Sequence, residues 1–159
     1  MAFLHYRIPL LSLIALGLFG VLANPAAGDW SHWRGPDLNG ISSETGWLAK
    51  WTDDGPKRLW KAEVGTGFSS VSVANGKVYT LGNSGRGRGE EKDTVFCFDA
   101  ATGKAIWSHA YEAKLDPKYY VGGPSSTPTV DGDRVFTLSK RGLLICFGAD
   151  DGHVIWQKN

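Results

Sequence analysis

The stretch Asp99–Trp107, "DAATGKAIW", returns forty-nine positions later as "GADDGHVIW", Gly148–Trp156, and each copy directly follows a Cys-Phe pair. A phrase written twice at a fixed distance marks a repeat architecture, in which each unit buries its apolar face only against a neighbouring copy. Upstream, "SSVSVANGKVYTLG" at 69–82 aligns with "STPTVDGDRVFTLS" at 126–139 at an offset of 57. Val73 then meets Val130, Val78 meets Val135, Tyr79 meets Phe136 and Leu81 meets Leu138. The two offsets differ by an eight-residue insertion in the first copy between Leu81 and Cys97, where "NSGRGRGEEKD" has the composition of a loop.

Each copy reads as four short strands rich in valine and aromatic residues. In the first these are about Ser69–Ala74, Lys77–Gly82, Thr94–Asp99 and Lys104–Ser108. Asn75-Gly76 joins the first two, because a type I′ turn needs positive φ at both central positions. In the second copy Asp131-Gly132 is read in the same role, the third strand as about Leu143–Phe147 and the fourth as about His153–Gln157. A repeated four-stranded antiparallel unit of about 40–50 residues is the blade of a β-propeller. "PKRLWKAE", Pro56–Glu63, reads as a fourth strand alone, with Trp60 in the position of Trp107.

The expected fold is therefore all-β: a partial propeller of about two four-stranded antiparallel blades plus one ring-closing strand. The expected division is a secretory signal peptide at 1–28, an N-terminal extended segment at 29–55, the orphan strand at 56–63, blade 1 at 64–110 and blade 2 at 111–159. Propellers close with roughly 4–8 blades. Two blades leave sheet faces and edges open, so the chain is expected to be the N-terminal portion of a longer protein.

The signal reading rests on Arg7, the uncharged run Ile8–Leu22 and the small residues of "ANPAAG" before Asp29. That run is short for a bilayer span of about 20 residues, so no membrane span is expected after signal removal. The expected location is periplasmic or secreted, in a bacterium. Formal net charge is +1, and Arg7 is the only charged residue of the first 28, so the mature chain is neutral. Such a balance offers no field for nucleic acid or an anionic membrane surface. The one basic cluster, "GRGRG" at 85–89, is followed at once by Glu90 and Glu91 and reads as a solvated loop.

On these residues the chain resembles the PQQ-binding-like β-propeller repeat family. Asp99, Ala101, Thr102, Gly103, Lys104 and Trp107 fall on its tryptophan-docking motif, while the second copy keeps Gly152 and Trp156 and replaces the rest. The opening "DWSHWRGPDLNGIS" is similar to the N-terminal segment of secreted bacterial members. The resemblance implies that Asp99, Thr102, Gly103, Trp107, Gly152 and Trp156 are structural: Gly at a turn that a Cβ would obstruct, Asp and Thr bonding turn backbone, Trp filling the seam against the next blade. Cys97 and Cys146 then occupy equivalent positions on successive blades and are expected as buried free thiols, since sheets about 10 Å apart exceed the reach of a disulfide.

No catalytic or metal-binding constellation is read in these residues. His5, His32, His109 and His153 lack metal-ligand spacing. There is no G-x-S-x-G elbow, and Gly65-Thr66-Gly67 precedes a strand rather than a phosphate-binding helix. Asp37–Gly40, "DLNG", reads as a turn rather than a calcium loop, and Arg34 of "HWRGP" as stacking on Trp30 or Trp33. The resemblance implies two functions. The first is an exported binding or scaffold module for a protein partner or a small periplasmic ligand. The alternative is a quinoprotein oxidoreductase using PQQ and calcium, with its catalytic residues in blades beyond Asn159.

Overall fold

The computed structural model describes residues 28–85, 91–118 and 120–159. The signal segment, Gly28 excepted, and Arg86 and Arg88 of the basic cluster lie outside the described residues. The rest forms eight strands: β1 Ser72–Ala74, β2 Lys77–Asn83, β3 Lys92–Asp99, β4 Ala105–Glu112, β5 Thr129–Asp131, β6 Arg134–Leu138, β7 Leu144–Gly148 and β8 Val154–Lys158. They make two four-stranded antiparallel sheets in the orders β1-β2-β3-β4 and β5-β6-β7-β8. The molecule is an all-β partial propeller of two blades.

The register repeats with the sequence. Tyr79 faces Cys97 and Cys97 faces Trp107 in the first sheet. Phe136 faces Cys146 and Cys146 faces Trp156 in the second. Both sheets also shift register at the same point, between Cys97 and Phe98 and between Cys146 and Phe147. A bulge at that place bends the outer hairpin and aims the phrase that follows it.

The sheets share one core. Ala74, Tyr79, Leu81, Val95, Cys97 and Trp107 of the first pack with Val130, Val135, Ile145, Phe147 and Ala149 of the second. In β3 Asp93, Val95 and Cys97 are buried at the two-residue period of a strand with one face inward, and Phe98 is buried as well, just past the bulge. Across the gap Ser72 Oγ donates to the Pro128 carbonyl, Tyr79 donates to the Ala149 carbonyl at 3.3 Å, and Lys77 Nζ meets Asp150 Oδ1 at 2.9 Å.

The N-terminal segment ties the two inner strands together. Trp30 and Val73 exchange backbone hydrogen bonds of 2.7 and 2.9 Å, and Val130 N donates to the Ser31 carbonyl at 2.7 Å. The Trp30 ring lies over Gly35, where a Cβ would come within 2.6 Å of it.

Three details differ from the sequence reading. β1 begins at Ser72 rather than Ser69: Thr66 bridges Asn83 at the end of β2, and the Ser69 hydroxyl, not its backbone, takes Leu81 N. The hairpin β3–β4 is longer than expected: Lys92 and Asp93 belong to β3, and β4 runs on to Glu112. The second hairpin loop is Gly132-Asp133, one residue beyond Asp131-Gly132, since Asp131 pairs with Arg134. Gly132 takes φ +58° and Asp133 does not have positive φ, the pattern of a type II′ turn, whereas Asn75 and Gly76 are both positive as type I′ requires. Pro56–Glu63 pairs with no strand among the described residues and meets blade 1 through Trp60.

Candidate functional site: the blade seams

The hairpin turn of "DAATGKAIW" closes on its own side chains. Gly103 N donates to the Asp99 carbonyl at 2.8 Å, and Asp99 Oδ1 accepts from Thr102 N at 2.8 Å and Thr102 Oγ1 at 2.7 Å. Those hydrogen bonds from Thr102 hold the Asp99 carboxyl below the usual carboxylate range. Gly103 adopts φ +70°, and a Cβ there would lie 2.5 Å from the ring of Trp60. That close approach is how the Trp60 indole reaches the turn: its Nε1 donates to the Ala100 carbonyl at 2.9 Å, and its ring sits 6.2 Å from that of Phe98.

The second turn repeats the arrangement one blade on. A Cβ on Gly152, at φ +71°, would lie 2.5 Å from the ring of Trp107. Trp107 Nε1 donates to the Ala149 carbonyl at 3.0 Å, and its ring sits 5.7 Å from Phe147. In both cases the fourth-strand Trp, or its counterpart, covers the glycine and caps a carbonyl of the following turn. Trp156, the next in the series, packs on Phe136 at 6.0 Å and is 41% exposed, against 8% for Trp107.

The replaced residues of the second copy compensate one another. Gly148 stands where the first copy has Asp99, and a Cβ there would lie 2.5 Å from the His153 ring. Asp151 supplies the missing carboxylate: its Oδ1 accepts from His153 N at 3.2 Å and meets His153 Nδ1 at 2.6 Å. The hydrogen bond to His153 lowers the Asp151 pKa. Reading the second copy only for its retained Gly152 and Trp156 misses this exchange, although Asp and His two residues apart in a turn are its visible signal.

Of the other residues singled out from sequence, only Arg34 and the DLNG turn are shown in contact among the described residues, Arg34 donating to the Asn39 carbonyl at 3.2 Å. His109 packs on Phe147 at 5.0 Å, and the Arg34 guanidinium lies 5.5 Å from the exposed Trp33 ring. Gly65 and Gly67 permit close backbone approach to Asn83 and Pro124. Asn39 Oδ1 of "DLNG" accepts from Ile41 N at 2.8 Å, which makes that stretch a turn. Cys97 and Cys146 are both free and buried, and burial pushes the Cys97 thiol up to about 11. Among the described residues no three His, Cys, Asp or Glu side chains gather as metal donors.

Sequence reading assigned Asn83 and Asp93 to a loop. Both are instead almost wholly buried, with Asn83 Nδ2 donating to Asp93 Oδ1 at 2.9 Å and to the Ala113 carbonyl at 3.0 Å. The signal was the alternation Asp93, Val95, Cys97, obscured by the polar run before it.

With the two-blade architecture and its seams established, the chain can be compared with known proteins. Residues 91–159 match the family described as "Outer membrane protein assembly factor BamB". Over those residues, fewer than half of the chain, the sequence is similar to that family. No curated protein matches it. Similar solved structures include a europium-containing methanol dehydrogenase, 21% identical with a TM-score of 0.41 over 55% of this chain and 14% of that one. Another is BamB from Moraxella catarrhalis, 17% identical with a TM-score of 0.40 over 57% of this chain and 23% of that one. The chain thus spans less than a quarter of either.

Proposed function

We propose that these residues contribute two blades to an exported propeller that acts as a binding or scaffold module for a protein partner or a small periplasmic ligand. The observation that carries this reading is the match of residues 91–159 to a family described as an outer-membrane assembly factor. In this reading Asp99, Thr102, Gly103, Trp107, Gly152 and Trp156 are docking residues, and their chemistry is spent on turns and seams. Trp156 then takes the turn of a further blade, as Trp60 and Trp107 each take the turn of the next. Export follows from the Arg7 and Ile8–Leu22 pattern of the sequence.

The test is a titration of the purified full protein with PQQ and Ca²⁺, coupled to a dye-linked oxidation assay over alcohols and sugars. No quinone binding and no turnover is the expected result. Saturable PQQ binding with turnover would replace this reading by the quinoprotein oxidoreductase. As the positive arm, crosslinking in the native envelope is expected to recover one protein at fixed stoichiometry.

A further inference from the structure

The closed seam between the two blades has an open counterpart on the far side of the second. In the first blade Lys77, Tyr79 and Leu81 alternate along one face of β2, and the Trp107 ring of β4 lies against Tyr79. Together they hold the turn at Ala149–Gly152. Lys77 Nζ meets Asp150 Oδ1 at 2.9 Å, Tyr79 and Trp107 both donate to the Ala149 carbonyl, and the Trp107 ring covers Gly152. The repeat places Arg134, Phe136, Leu138 and Trp156 at the corresponding positions of the second blade.

That second face is already formed. The Tyr79 and Trp107 rings stand 6.0 Å apart at 51°, and the Phe136 and Trp156 rings likewise stand 6.0 Å apart at 51°. Lys77 and Arg134 each begin the second strand of their blade, opposite Asp99 and Gly148 at equivalent places in the register. The difference is cover: Tyr79, Leu81 and Trp107 are buried, whereas Leu138 and Trp156 are exposed. A face that keeps its geometry without a partner loses little conformational freedom on docking.

The chemistry of the occupant follows residue by residue from the closed seam. Trp156 in the place of Trp107 calls for a turn glycine under the ring and a carbonyl for the indole N–H. Phe136 in the place of Tyr79 has no hydroxyl, so that carbonyl meets the indole alone. Arg134 in the place of Lys77 calls for a carboxylate two residues before the glycine, as Asp150 stands before Gly152. Among the described residues Arg134 meets only the adjacent Asp133, at 3.7 Å, which leaves guanidinium donors free for a second carboxylate. The first blade's own turn does not fit, since Ala101 stands at the place of Asp150. The second blade's turn does fit, but Lys77 already holds it. A second copy of these blades therefore has no matching turn to offer.

On the reading that Trp156 takes the turn of a further blade, we infer that this turn bears Asp or Glu two residues before its glycine, and that Arg134 selects it by pairing with that carboxylate. The charge then fixes which turn follows the second blade, because one with alanine at that place leaves Arg134 unmatched.

The test places a photoreactive benzophenone amino acid at position 156 of the full protein and identifies the crosslinked segment by mass spectrometry. The expected segment is a glycine turn of the same polypeptide with Asp or Glu two residues before the glycine, as in the second blade. Arg134→Glu in the full protein is expected to lower the melting temperature, and Arg134→Lys to leave it near the parent value. Changing the identified acid to lysine in the Arg134→Glu protein is expected to recover most of the loss. Asp133 is present in every member of that cycle, so its repulsion cancels. Absence of any crosslinked turn would overturn both the Arg134 selection and the further blade it rests on. A crosslinked turn without an acid at that place, or a loss that charge reversal does not recover, would overturn the selection while the further blade stands.

Discussion

At Gly152 there is no room for a side chain: the backbone is left-handed and the Trp107 ring occupies the place of a Cβ. Gly152→Ala combines the strain of positive φ with overpacking and is expected to cost about 1–3 kcal/mol in a denaturant melt. Trp107→Ala empties the same seam and leaves the Ala149 carbonyl only the longer hydrogen bond from Tyr79, for about 3–5 kcal/mol. Trp156→Ala, on the open side of the second sheet, is expected to cost about 1 kcal/mol or less. Equal losses at 107 and 156 would contradict the seam geometry. Asp93 gives a residue-scale pH dependence. Burial raises its pKa, so the folded chain holds this proton more tightly than the unfolded one. Its contribution is complete below the ordinary Asp value of 3.8 and is lost as pH rises through the raised one. Asp93→Asn is therefore expected to flatten the fall in melting temperature as pH rises above the ordinary Asp value. An unchanged slope in the variant would place the titration elsewhere.

Among the elements, the two outer hairpins solve one problem with different residues. The first caps its turn with Asp99 and Thr102, the second with Asp151 and His153. Both carboxyls have lowered pKa values, so each contributes stability above the ordinary range that is lost as pH falls through the lowered value. Asp151→Ala is expected to lower the melting temperature at pH 7, with the gap to the parent narrowing as pH falls below the ordinary carboxylate range, as followed by circular dichroism. Sequence alone carried the strands, their pairing and the turn glycines, because strand alternation and hairpin loops are local signals. It lost the ends of β3 and β4. The polar run at 83–93 reads as loop by composition, yet Asn83 and Asp93 satisfy each other inside the core, a pairing visible only once β2 and β3 are laid together.

At the scale of the whole molecule, one contact is used twice and offered a third time. Trp60 covers the turn at Gly103, Trp107 covers the turn at Gly152, and Trp156 remains open beside Phe136. The N-terminal segment adds a second tie, bonding Val73 of one inner strand and Val130 of the other. Deleting residues 29–35 is accordingly expected to lower the melting temperature of both blades together rather than of one alone. Sequence made the series of tryptophans legible but not which turn each would meet, because that pairing joins segments some forty residues apart. The architecture was therefore readable from the repeat, while the ion pair and hydrogen bonds across the seam appeared only with the two sheets side by side. The most direct measurement is hydrogen exchange of the indole Nε1–H groups in the ¹⁵N-labelled chain, with the tryptophans assigned by single substitution. Protection at Trp60 and Trp107, with fast exchange at Trp156, is the result expected of two closed seams and one open one. Exchange at Trp107 as fast as at the exposed Trp33 would contradict the account.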